Sequence, residues 1–152
     1  MTLMRSFDES LPMALLRARE ATMRVFRPML AEHDLTEQQW RALRALNAAG
    51  EPIDATTLAD RTFLLSPSLS RILVNLDERG LVERKLDPSD QRRALIELSA
   101  KGRRTVQRVA PASEAGYNAI EEQFGAKRFA SLMSELHELA TLDLDAEKRG
   151  AA

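Results

Sequence analysis

Residues 82–98 break the helical rhythm that runs through the rest of this chain. On either side of them apolar residues recur every three to four positions, the spacing of helices with one face in a core. Within them the period drops towards two. Val82-Glu83-Arg84-Lys85-Leu86 and Ala94-Leu95-Ile96-Glu97-Leu98 read as short strands with partial alternation. Asp87-Pro88-Ser89-Asp90-Gln91-Arg92-Arg93 between them reads as a polar, proline-containing turn. The expected fold is therefore mainly α with one small β-hairpin, and that hairpin carries arginines at its tip.

Helix punctuation orders the remainder. Ser10 with Leu11-Pro12 reads as a helix start, followed by a stripe through Leu15, Leu16, Thr22, Met23, Phe26 and Leu30. Pro28 lies late in that run, where its ring clashes with the Arg24 carbonyl and predicts a kink. In Leu35-Thr36-Glu37-Gln38-Gln39-Trp40, Thr36 and Gln39 are spaced as a capping box, and Leu35 and Trp40 as a hydrophobic staple around it. Gly50 and Pro52 end that second helix, and Asp54 caps a third, shorter one. Ser66-Pro67 predicts a fourth helix with serine as cap, its inward face formed by Leu69, Ile72, Leu73 and Leu76 and its end marked by Gly80. Ser99 caps a fifth. A last helix over 126–142 carries Phe129, Leu132, Met133, Leu136 and Leu139 on one face. The tail, residues 148–152, is expected to fray.

At 152 residues and 17.0 kDa the chain suits one domain or one subunit of a small oligomer. It has no cysteine, which excludes disulfides, thiolate metal sites, thiol nucleophiles and thiol redox sensing. It shows no apolar run long enough to span a membrane and no leader pattern, so a cytoplasmic, soluble protein is expected. The net charge of −1 conceals a gradient. Residues 61–108 carry 11 Lys/Arg against 6 Asp/Glu, whereas both flanks are acidic. A basic middle between acidic ends suggests a local anion-binding surface.

A short helix pair followed by a basic hairpin is the order of a winged helix-turn-helix. An exposed helix fits the major groove, and a slim hairpin carrying arginine reaches the minor groove, whose negative potential favours a cation. The run Asp87-Pro88-Ser89-Asp90-Gln91-Arg92-Arg93, with Ile96-Glu97-Leu98-Ser99-Ala100-Lys101-Gly102, resembles the wing signature of MarR-family transcriptional regulators. The family's order of helices and hairpin covers nearly the whole chain. Arg17-Ala18-Arg19-Glu20-Ala21, Phe26-Arg27-Pro28 and Leu35-Thr36-Glu37-Gln38-Gln39-Trp40-Arg41 resemble a narrower branch, the regulators of homoprotocatechuate-degradation operons.

That resemblance implies a homodimer on a pseudo-palindromic operator in double-stranded DNA. Residues of about 10–33 and 100–146 would form the dimer helices, and about 35–99 the DNA-binding lobe. It places Ser66, Ser68, Ser70, Arg71 and Asn75 along the recognition helix, with Thr36 and Gln38 at the start of the second helix. Asp90 and Arg92 match the wing pair, the aspartate shaping the hairpin and the arginine entering the minor groove. Arg93 either contacts phosphate or packs within the wing, and Arg84 and Lys85 are placed to meet the backbone. For each arginine taken alone, a solvated surface charge explains it equally well; their clustering favours function.

The family's effectors are small aromatic carboxylic acids held between dimer helices and winged lobe. Arg19, beside an apolar stripe, is the expected anchor, with Arg17 second to it. Met23, Phe26 and Trp40 would supply apolar walls, and His33 a donor. Alternatives stand beside each: Glu20 of the partner subunit or another acid as partner for Arg19, a core role for Trp40, a surface or capping role for His33. No nucleophile elbow, phosphate-binding glycine loop or histidine pair at ligand spacing is present, so neither catalysis nor a cofactor or metal is expected. A helical protein-interaction module without DNA binding is the rival; the basic wing discriminates.

Overall fold

The computed structural model describes residues 3–144, and these fall into two compact units that meet in sequence at Glu114 and Ala115. In the first, a single 3-10 turn (Phe7–Glu9) precedes α1 (Leu11–Ala31), α2 (Glu37–Ala49), β1 (Ile53–Asp54), α3 (Ala55–Thr62), α4 (Ser66–Glu78), β2 (Val82–Asp87) and β3 (Asp90–Leu98). The first part of α5 (Ala100–Phe124) belongs to it too. The second unit holds the rest of α5 and α6 (Ala126–Ala140).

Local chemistry explains most boundaries. Thr36 accepts from the Gln39 N–H at 3.2 Å while the Gln39 side chain accepts from the Thr36 N–H at 3.0 Å, so the capping box closes. Leu35 and Trp40 beside it are both buried. Gly50 ends α2 at φ +67°, a left-handed conformation that costs glycine little. Asp54 caps α3 by accepting from the Thr57 N–H at 2.7 Å. Pro28 stays inside α1, which runs on to Ala31.

Three expectations are corrected. α4 is capped by Leu65, not Ser66, and Leu65 has no side-chain oxygen to offer; Ser66 already has helical backbone and Pro67 is the second helical residue. The long polar turn shrinks to Pro88-Ser89: β3 begins at Asp90, which pairs with Asp87, and Gln91, Arg92 and Arg93 form an irregular stretch of β3 before Ala94 pairs with Leu86. The hairpin also gains a third strand. Ile53 and Asp54 pair antiparallel with Ile96 and Leu95, giving the sheet order β1-β3-β2. The tail at 148–152, expected to fray, lies outside the described residues.

The core of the first unit forms where helices meet the sheet: Leu30, Leu43, Leu58, Leu69, Leu76, Ile96 and Val109 are almost fully buried. In the second unit, α6 starts after Gly125 at φ +98° and the Arg128 guanidinium lies 4.2 Å from the Phe124 ring centre. No residue of α6 is buried, and Leu132 and Met133 are exposed.

One close approach locks the wing onto α5. Ser99 Oγ donates to the Gly80 carbonyl at 2.6 Å and accepts from the Gly102 N–H at 2.9 Å. A Cβ at Gly102 would lie 2.0 Å from the Leu81 carbonyl oxygen. Gly102→Ala should therefore destabilise by about 1–3 kcal/mol, although alanine is the better helix former. A urea midpoint at or above wild type would contradict this packing.

Candidate nucleic-acid interface and effector hollow

α4 presents Ser66, Ser68, Ser70, Arg71 and Asn75 as exposed side chains, while Leu69, Leu73 and Leu76 bury the opposite face. Its seat is set by one glutamine. Gln39, besides closing the capping box, donates from Nε2 to Asn75 Oδ1 at 2.9 Å and accepts from Arg79 Nη1 at 3.4 Å. The start of α2 is thereby tied to the middle and end of α4. Asn75, named as a groove contact, thus also has an internal task.

The wing separates its two adjacent arginines. Arg93 pairs with Asp54, the cap of α3, and lies 3.6 Å from Asp87, so it packs within the wing. The Arg92 guanidinium is exposed and has no ion pair among the described residues. The Arg92 backbone N–H donates to Asp90 Oδ1 at 3.0 Å. Asp87 holds the turn, accepting from the Ser89 N–H at 2.9 Å and Ser89 Oγ at 2.7 Å. Those two bonds, with the Arg93 charge, hold its carboxyl below the ordinary aspartate value. Arg84 is exposed on β2. Lys85 pairs with Glu97 on β3, which sits directly opposite Glu83; the ammonium offsets that like-charge pairing.

Beside the start of α2 lies a second constellation. A hollow of about 450 Å³ is lined by Arg19, Arg27, Leu35, Thr36, Glu37 and Gln38. Glu37, its side chain only 10% exposed, accepts from Arg19, from Arg27 Nε at 3.0 Å and from Arg41 Nη2 at 3.1 Å. Arg27 also grips Glu20 with both ends of its fork, at 2.8 and 2.9 Å. Arg41 reaches onward to the Thr62 carbonyl at the end of α3, at 3.0 Å. Three cations and two carboxylates leave one positive charge in excess. Burial pushes the Glu37 carboxyl up, but the Arg19 and Arg27 bonds and charges outweigh it, and the net shift is down.

Of the expected effector residues, Arg19 lines the hollow and is held by Glu37 and Glu20. Arg17 pairs instead with Asp8. Met23 is half-buried, Phe26 and Trp40 are buried, and His33 lies half-buried just after α1. None of these five lines the hollow, whereas Thr36 and Gln38 do. Glu37, Arg27 and Arg41 escape a reading by motif because the contacts join residues up to 18 positions apart, and Glu20, expected to meet Arg19 from the partner subunit, meets it within the same chain. The only local traces are the i,i+4 spacing of Glu37 and Arg41 and an acid in the first turn of α2.

An exposed, polar and cationic helix next to a basic wing defines a winged-helix DNA-binding protein. Residues 33–93 match the MarR family. The chain is 42% identical over 134 residues to the homoprotocatechuate degradative operon repressor of Escherichia coli, an alignment covering 88% of this chain and 90% of that protein. The solved structure of NadR in complex with 4-hydroxyphenylacetate superimposes with a TM-score of 0.79 at 37% identity, covering 93% of this chain and all of NadR. The repressor CouR bound to a 23-mer DNA duplex gives 0.80 at 29% identity, over 91% of this chain and 99% of CouR. The chain belongs to the MarR family: it is a transcriptional regulator with a winged helix-turn-helix, not an enzyme. Among the described residues, no helix is long and apolar enough to cross a membrane.

Two measurements check the frame around Glu37. Thr36→Ala removes the cap of α2 and should cost about 1 kcal/mol of stability. Because Glu37 is shifted below its ordinary value of 4.5, its contribution is complete above that value and is lost as pH falls through the lower, folded value. Glu37→Gln should therefore flatten the acid-side loss of stability in urea midpoints taken down to about pH 3. An unchanged acid limb would show that the carboxylate is not the anchor.

Proposed function

We propose that this regulator acts in the cytoplasm as a homodimer that represses an operon for aromatic-acid breakdown and is released by a phenolic carboxylic acid. The observation that carries the DNA-binding half is the fate of the wing arginines. Arg93 is consumed in holding the hairpin to α3, and Arg92, on a shaped tip, has no ion pair among the described residues. Such a tip suits the minor groove while Ser66, Ser68, Ser70 and Arg71 of α4 face bases and phosphates in the major groove. Thr36, Gln38, Arg84 and Asn75 complete the assigned DNA-facing set. The dimer reading is supported by apolar side chains left exposed on α1 and α6, among them Leu11, Leu15, Leu16, Leu132 and Met133.

The effector reading rests on the hollow. NadR was solved with 4-hydroxyphenylacetate, and an acid of that class brings one carboxylate to a site with one surplus positive charge. Its carboxylate would take over Arg19 from Glu37 and Glu20. Loosening Glu37 slackens the link through Arg41 to the end of α3 and disturbs the α2 start that Gln39 fastens to α4. The two recognition helices of a dimer must meet half-sites about 34–36 Å apart, so a small rotation suffices for release.

Arg92→Ala should weaken binding to the upstream promoter duplex at least about tenfold, with the salt slope reduced by about two for a dimer. Arg19→Ala, which frees Glu37 as the effector would, should weaken duplex binding in the absence of effector and blunt further release by hydroxyphenylacetate. Fluorescence anisotropy reads both. Full affinity in Arg92→Ala would remove the wing from the interface, and normal release of Arg19→Ala would remove the anchor.

A further inference from the structure

The turn between α3 and α4 carries two side chains that the fold does not use. Phe63 ends α3 at φ +55°, a left-handed conformation that favours glycine, and is 92% exposed. Leu65 is the N-cap of α4, where serine, threonine, aspartate or asparagine would bond the first helical N–H groups, and it is 77% exposed. Lone exposed apolar residues are common on protein surfaces. Here two lie within three residues of each other, each at a position where its side chain weakens the local structure.

Their setting identifies what they meet. Leu65 opens the helix whose Ser66, Ser68, Ser70 and Arg71 point outward. Arg61 and Arg71, both exposed and without ion pairs among the described residues, lie on either side in sequence. An apolar tip between two free cations matches duplex DNA, where phosphates flank an apolar group on the groove floor. That group is the thymine C5 methyl, the only hydrocarbon on a base edge of the major groove. Two cations beside the tip suit a polyanion that presents phosphates on both sides of it. A capping aspartate at 65 would set a negative charge against the phosphates; leucine does not.

We propose that Leu65, with Phe63 beside it in the turn, reads thymine by contact with its C5 methyl group. The proposal rests on α4 lying in the major groove. Replacing thymines of the operator one position at a time, symmetrically in both half-sites, by uracil removes that methyl and nothing else. Wild-type affinity should fall about three- to tenfold at one or two positions and stay level elsewhere. Leu65→Ser should bind thymine and uracil operators alike, more weakly than wild type on the thymine duplex, yet melt at a higher temperature because serine caps α4. Phe63→Gly should also melt higher while binding more weakly.

Sequence-specific binding with no thymine preference anywhere would overturn this inference and leave the regulator reading standing. So would a Leu65→Ser variant that keeps the wild-type preference. If Leu65→Ser changed the oligomeric state and not the base preference, the tip would face protein, and the inference would fail. Absence of duplex binding by the wild type would overturn both readings together.

Discussion

A carboxylate with little access to water and three arginines around it organises the DNA-binding unit. Glu37 stands at the first turn of α2, where a negative charge suits the helix dipole, and the Thr36–Gln39 box holds that turn in place. Arg19 and Arg27 bring α1 to it, and Arg41 carries the connection to the end of α3. Gln39 adds α4. The start of α2, residues 37–41, is thus bonded to three other helices. Because Glu37 has little access to water, leaving it unpaired is costly, and the half-exposed arginines around it are held to that carboxylate. That makes it a place where an added carboxylate can shift the whole lobe between states.

The wing follows the same logic on a smaller scale. Asp87 closes the two-residue turn and helps hold Arg93, whose other partner, Asp54, is also the cap of α3. A structural arginine is paired twice so that its neighbour can remain unpaired. Arg92 is therefore presented on a fixed backbone, and less entropy is lost when it meets DNA.

Much of this was legible in the residues, and what was legible was local. The capping box at Thr36 and Gln39, the Asp54 cap, the Ser99 cap and the change of period at residues 82–98 all act within a few positions. The strand β1 was not, since two residues carry no period and pair with Ile96 and Leu95 more than forty positions away. The extent of β3 was hidden for a related reason: a run rich in polar residues reads as loop, and the register shifts between Leu86 and Asp87 where that run lies. Ser66 was a fair candidate cap, but Leu65 holds that position despite its chemistry. Function explains the choice better than folding does. For the proposed effector hollow, motif and resemblance pointed to Arg19 but not to Glu37, Arg27 or Arg41, because charge networks between helices leave no spacing rule.

The central claim is that the effector and the operator act on the same two-state lobe. Isothermal titration of hydroxyphenylacetate or homoprotocatechuate into the free protein and into the protein saturated with operator tests it directly. Linkage requires the operator to weaken effector binding by the same factor by which the effector weakens operator binding. Equal factors well above one are the expected result. An acid that binds with equal affinity in both titrations would contradict the account.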